Sequence, residues 1–217
     1  MIAMSSREDI LQRLRKNTRE TYDMPDLSQL KPITFSDPVE EFKQRTTTTA
    51  GARLVEMKAG DDLNAVIRQI AVGDSVADAP EPSGEAGGGF IIASNLPGVE
   101  AQLNPDTVDD VRELMKVDVG VIRGCIGVAE NACVWVPQLT KEKAVCFASQ
   151  QLVILLSRND IVNNMHEAYD RIAASQEYFQ QYKFGTFISG PSKTADIESA
   201  LVYGAQAARG VTIVLQE

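Results

Sequence analysis

Two stretches of this 217-residue chain carry side chains that could do chemistry. The first, GVIRGCIGVAENACVWV at residues 120–136, sets Glu130 and Asn131 between a glycine-containing apolar run and an apolar, strand-like segment at 133–136. Gly120, Gly124 and Gly127 let backbone or ligand approach closely, so a carboxylate in that company has the setting of an acid, a base or a nucleophile. The same glutamate could instead satisfy loop N–H groups or a helix start, and spacing leaves both readings open. The second stretch, SGPSKTADIE at residues 189–198, combines Gly190, Pro191, the cation of Lys193 and the hydroxyls of Ser189, Ser192 and Thr194. A β-branched run at 184–188 precedes it, and Ile197, Ala200, Leu201 and Ala205 follow at helical spacing, which predicts a strand-to-helix corner. Unpaired N–H groups at a helix start attract anions, so Ser189, Gly190, Ser192, Lys193 and Thr194 suit a carboxylate or phosphate. Caps of this kind also begin helices that bind nothing.

The remaining reactive residues are few. Cys125, Cys133 and Cys146 are an odd set without CxxC spacing, which fits neither a disulfide framework nor a self-contained zinc or iron–sulfur site. Buried free thiols are expected, and no metal site. His166 is the only histidine, so a Ser-His-Asp or multi-histidine arrangement has no second member to build on. With 30 acidic against 21 basic side chains, the net charge of -9 repels a phosphate backbone and argues against nucleic acid as the partner. The apolar run at 152–156 is far too short to cross a bilayer, and no apolar signal region follows Met1, so a cytoplasmic chain without a membrane span is expected.

Those residues must be positioned by the elements around them. An amphipathic helix is predicted over 6–21 with Ile10, Leu11 and Leu14 on one side, either a docking arm or a solvated surface helix. Pro25, Pro32 and Pro38 then break regular structure, which divides the chain into an arm and linker at 1–36 and a body at 37–217. In the body, Asp37 caps and Pro38 opens a helix, and strand and helix then alternate. Strands are expected at 53–57, 90–93, 117–122, 133–136, 152–156, 184–188 and 211–215. Helices are expected at 62–72, 105–115 and 161–174, with another running from the 189–198 corner to about residue 205. Residues 74–89 read as a surface loop. Their GEAGGG is no dinucleotide cradle, because it follows coil and enters a strand instead of leaving a strand to open a helix. Such alternation requires a three-layer α/β fold: a mostly parallel sheet with helices on both faces.

SGPSKTADIE, followed by Leu201, Val202, Gly204 and the closing VTIVL, resembles the C-terminal signature of the LutC/YkgG family, lactate-utilisation proteins of the LUD-domain group. Lys193 stands where that family commonly has arginine. GVAENACVWV is similar to its second signature, in which the glutamate is followed by Thr-Gly-Thr; Glu130 is kept, and Asn131, Ala132 and Cys133 depart from it. The resemblance covers the body from about residue 37. It implies a fold like that of ribose-5-phosphate isomerase, glucosamine-6-phosphate deaminase and the CoA-transferases (NagB/RpiA/CoA-transferase-like). It also implies an accessory subunit, without a redox centre of its own, of a system oxidising L-lactate to pyruvate, with the iron–sulfur clusters on partner subunits. A small carboxylate or phosphate ligand and a homo-oligomer are compatible with it. The alternatives are an autonomous isomerase or CoA-transferase-type enzyme using Glu130, and a non-catalytic small-molecule sensor.

Overall fold

Leu152, Val153, Ile154, Leu155 and Leu156 are all buried, because β6 (Gln151–Ser157) has neighbours on both edges and layers on both faces. The computed structural model describes residues 6–18, 20, 22–23, 25–26, 29–72, 90–175, 183–196 and 199–217. They fall into two units, Met1–Pro32 and Ile33–Glu217. In the first, α1 (Ser6–Asn17) buries none of its residues, and Ile10 and Leu14 are both exposed. In the second, the chain from Ile33 onward is held by two asparagines. The Phe35 N–H donates to Asn163 Oδ1 at 2.9 Å, and Asn164 Nδ2 donates to the Ile33 carbonyl at 2.8 Å.

The central sheet of the larger unit is parallel throughout. Its strands are β1 (Arg53–Met57), β2 (Ile92–Ala93), β3 (Val119–Arg123), β6 and β11 (Gly210–Gln216), in the order β1-β11-β6-β3-β2. Register places Leu54, Ile213, Ile154 and Ile122 side by side in one row. Side chains alternate along a strand, so this row and the next line opposite faces. The row's own face is a core shared with Phe42, Leu114 and Val134. The other face, with Val121, Val153, Leu155 and Val214, receives Ile67, Ile70 and Ala71 of α3 (Leu63–Val72). The first face is covered by α2 (Pro38–Thr48), α4 (Val145–Ala148) and a second sheet in the order β7-β4-β5-β8. Its members are β4 (Ile126–Val128), β5 (Cys133–Pro137), β7 (Ile161–Val162) and β8 (Gly185–Ile188); β5 runs antiparallel to both β4 and β8. Buried Ala168 and Ile172 of α5 (Met165–Ala174) seal its outer face with Trp135 and Val162. The α/β class with a mostly parallel sheet, expected from alternation, is the observed one.

Three segments differ from expectation. Instead of a helix after the 189–198 stretch, β9 (Lys193–Thr194) pairs antiparallel with β10 (Val202–Tyr203); residues 197–198 lie outside the described residues. Ala200, Leu201 and Ala205 are exposed, so their helical spacing meets no core, and Ser199 and Gly204 take positive φ of 55° and 78°, which a right-handed helix cannot contain. The 105–115 helix is replaced by turns and a short 3₁₀ segment, Val111–Lys116, because Asp110 forms a capping box with Glu113 and restarts the chain. Val111 and Met115, expected inside, are exposed. Ile161 belongs to β7, and α5 starts only after Asn164, whose side chain accepts the Glu167 N–H at 3.0 Å. The 74–89 loop with its GEAGGG lies outside the described residues.

Candidate functional site

Three pieces of the larger unit meet around Glu130: the end of α2, the turn between β4 and β5, and the stretch after β8. Asp37 starts α2 by accepting the Val39 and Glu40 N–H groups, both at 3.0 Å, with Pro38 in the first turn. Phe42 and Thr46 are its buried face, and the Thr46 hydroxyl donates to the Phe42 carbonyl at 2.7 Å. One residue before Thr46, Arg45 leaves the core. It pairs with Glu41, lies 5.4 Å from the Phe35 ring centroid, and donates from Nη1 to the Glu130 carbonyl at 2.9 Å.

The turn itself is pinned on its other side too. The Glu130 N–H donates to the Asn163 carbonyl at 3.0 Å, and the Ala129 N–H to the Val162 carbonyl at 2.9 Å. Asn131 Oδ1 accepts the Cys133 N–H at 3.1 Å, and buried Ala132 adopts a φ of 54°. That is the left-handed region, which glycine enters without penalty. Glu130 is thus held by its backbone at both ends while its half-buried carboxylate makes no hydrogen bond among the described residues. It is the acidic side chain of this turn.

The structure joins the two sequence stretches directly. β8 pairs with β5, and Ser189 Oγ donates to the Asn131 carbonyl at 3.0 Å. Gly190 takes a φ of 70° against Ala50, and Pro191 behind it is buried. The Ser192 N–H donates to the Ala208 carbonyl at 3.1 Å, its carbonyl accepts the Gly204 N–H at 2.8 Å, and Thr194 Oγ1 accepts the Asp196 N–H at 3.3 Å. Lys193 crosses to α2, where Nζ donates to the Ala50 carbonyl at 2.6 Å and lies 3.4 Å from that of Thr49. The last carbonyls of a helix lack intrahelical partners and carry the negative end of its dipole. Lys193 therefore acts as the C-terminal cap of α2.

Asn163, Asn164 and Glu167 support this site and were not singled out in the sequence. Glu167 receives the Asn163 N–H at 2.8 Å and its Nδ2 at 3.1 Å, while the Asn163 carbonyl holds Glu130. The signal for them was present: Asn164 and Glu167 are three apart, the spacing of a capping box. All three cysteines are buried, and none forms a disulfide. Burial pushes Cys133 and Cys146 up to about 12, with the nearby Glu130 carboxylate adding to the rise at Cys133. His166 is exposed. Among the described residues no group of three His, Cys, Asp or Glu could hold a metal ion, and no helix is long and apolar enough to cross a membrane.

A family model described as LUD domain matches residues 39–216. Among solved structures the chain is similar to the crystal structure of a DUF162 family protein from Deinococcus radiodurans, with 13% identity and a TM-score of 0.59, over 86% of this chain and 100% of that one. At this identity the similarity establishes the fold. No curated protein matches the chain.

Proposed function

The chain belongs to the LUD-domain family by the match over 39–216, and from that membership we propose that it is a LutC-like accessory subunit of an iron–sulfur system oxidising L-lactate to pyruvate in the cytoplasm. The observation that carries this reading is the meeting of the two signature-like stretches, with Ser189 hydrogen-bonded to the turn that bears Glu130. In this reading the clusters sit on partner subunits, since three cysteines without CxxC spacing fall short of the four thiolates that a cluster takes. Co-purification is the test. The tagged chain is expected to carry iron–sulfur proteins with it from cells growing on L-lactate, and its deletion to abolish that growth. Normal growth on lactate without the chain would overturn the reading.

Within this proposal Ser189, Gly190, Ser192, Lys193 and Thr194 border a site for a small carboxylate or phosphate beside the Glu130 turn. Lys193 makes the site conditional. An anion there competes with the Thr49 and Ala50 carbonyls for the same ammonium group, so binding frays the end of α2. Adding L-lactate or phosphate to the full chain is expected to speed amide hydrogen exchange at residues 49–51 by about threefold or more, as the cap is worth ~1 kcal/mol. Unchanged exchange at saturating anion would remove the anion from this stretch and leave the subunit reading standing.

A further inference from the structure

A second place in the larger unit has the chemistry of a binding site and shares no residue with the turn and stretch above. It is a cleft where the carboxyl ends of β2 and β3 meet the loop after β5, the N-terminal side of β8 and α4, and it encloses about 30 Å³. That space seats a carboxylate-sized group and leaves any further body on the open apolar wall, and it is far too small for a nucleotide. Its wall is apolar: Ile122 and Val136 are buried in it, and Leu139, Phe147 and Phe184 are partly exposed around it. Parallel sheets commonly receive ligands at the carboxyl ends of their strands.

Its charge is one-sided. Arg123 ends β3 and is exposed, and it forms no ion pair among the described residues. Lys143 Nζ lies 4.1 Å from the Phe184 ring centroid, an arrangement that holds the ammonium at the mouth. No described residue lining the cleft is Asp or Glu, in a chain with 30 of them. Asp106, the acid bound to the lining residue Asn95, is occupied by Asn95 Nδ2 at 3.0 Å and the Lys141 N–H at 2.7 Å. The amide groups of Asn95 and Gln138 donate to the carbonyls of Leu139, Thr140 and Lys141, which fixes the loop and leaves the two cations as the charged donors facing the cleft. Thr140 beneath them is 8% exposed, and its hydroxyl makes no hydrogen bond among the described residues.

We propose that this cleft binds a small organic carboxylate with a compact apolar body, its carboxylate on the Arg123 guanidinium and its body against Ile122, Val136 and Phe147. A guanidinium fork matches a carboxylate in two parallel hydrogen bonds, which a lysine cannot reproduce. Inorganic phosphate has the charge without the body and leaves the apolar wall uncovered.

Titration calorimetry of the full chain with benzoate, benzamide and inorganic phosphate tests this. Benzoate is expected to bind about tenfold or more tightly than either of the others. Arg123→Met is expected to weaken benzoate by about tenfold at an unchanged melting temperature, since Arg123 is exposed, and Lys143→Met by a smaller factor. Lys58→Met, exposed and outside both the cleft and the 189–194 stretch, is expected to leave benzoate binding intact. Equal binding of benzoate and benzamide, equal binding of benzoate and phosphate, or full affinity in Arg123→Met would each overturn the proposal.

Discussion

Phe42→Ala is expected to lower unfolding free energy by about 3–5 kcal/mol, the range for truncating a buried aromatic side chain to a methyl. Phe42 is 0% exposed and heads the largest fully buried side chains. It projects from α2 into the core shared by Ile154, Ile213 and Val134. A Cβ built on Gly127 would stand 2.8 Å from Leu156 Cδ2 and 3.2 Å from Phe42 Cε2, so the ring packs close against the β4 backbone. A cavity there cannot be refilled by a small shift, because the sheet on each side is pinned in register. The loss is large against the 5–15 kcal/mol that ordinarily separates folded from unfolded. Its consequence reaches the site. The helix that Phe42 anchors also sends Arg45 to the Glu130 carbonyl and offers its last carbonyls to Lys193. Urea denaturation measures the effect through the midpoint at unchanged slope. Phe42→Leu, which keeps most of the volume, is expected to lose about half as much or less. A Phe42→Ala loss below ~1 kcal/mol would show that α2 is not anchored through this ring.

How much of this was legible in the sequence depends on how local each determinant is. β6 and β11 were readable because strands buried on both faces are continuous apolar runs. The start of α2 was readable because Asp37 and Pro38 act on the next two or three residues. Half of the second sheet was hidden, since only β5 and β8 fall on the strands expected at 133–136 and 184–188. Its strands β4 and β7 have three and two residues, too short for any periodicity to register. The 200–205 segment misled because its apolar residues recur at helical spacing yet lie exposed, so pattern was present without a core to meet. For the site, residue types were right to notice and partners were unreadable. Ser189 reaches Asn131 across 58 positions and Lys193 reaches Ala50 across 143. No composition or spacing rule spans such separations. The lysine of an apparent anion-binding helix start is in the structure the cap of a different helix.

Gly190→Ala is expected to cost about 2–5 kcal/mol, the sum of a left-handed backbone forced on an L-residue and an overpacked contact. Gly190 has a φ of 70°, and a Cβ there would stand 2.0 Å from the Ala50 carbonyl oxygen and 2.8 Å from its carbon. Those are backbone atoms at the end of α2, so no side chain can rotate out of the way. The same carbonyl oxygen accepts Lys193 Nζ at 2.6 Å. Moving it to admit a methyl therefore breaks the cap as well as the packing. Gly60 separates the two causes: its φ is 97° and nothing lies within 4 Å of a Cβ built there. Gly60→Ala carries the backbone strain alone and is expected to cost about 1–2 kcal/mol. If thermal or urea unfolding shows Gly190→Ala and Gly60→Ala to be equal, the close approach of Gly190 to Ala50 does not exist in solution. Lys193→Met alone is expected to cost ~1 kcal/mol, the worth of a cation at a helix C-terminus. Both substitutions act on the Ala50 carbonyl, so the double variant Gly190→Ala, Lys193→Met is expected to lose less than the sum of the two. Strict additivity would mean that the lysine and the glycine hold the end of α2 independently, and that the 189–194 stretch is not the single clasp its hydrogen bonds describe.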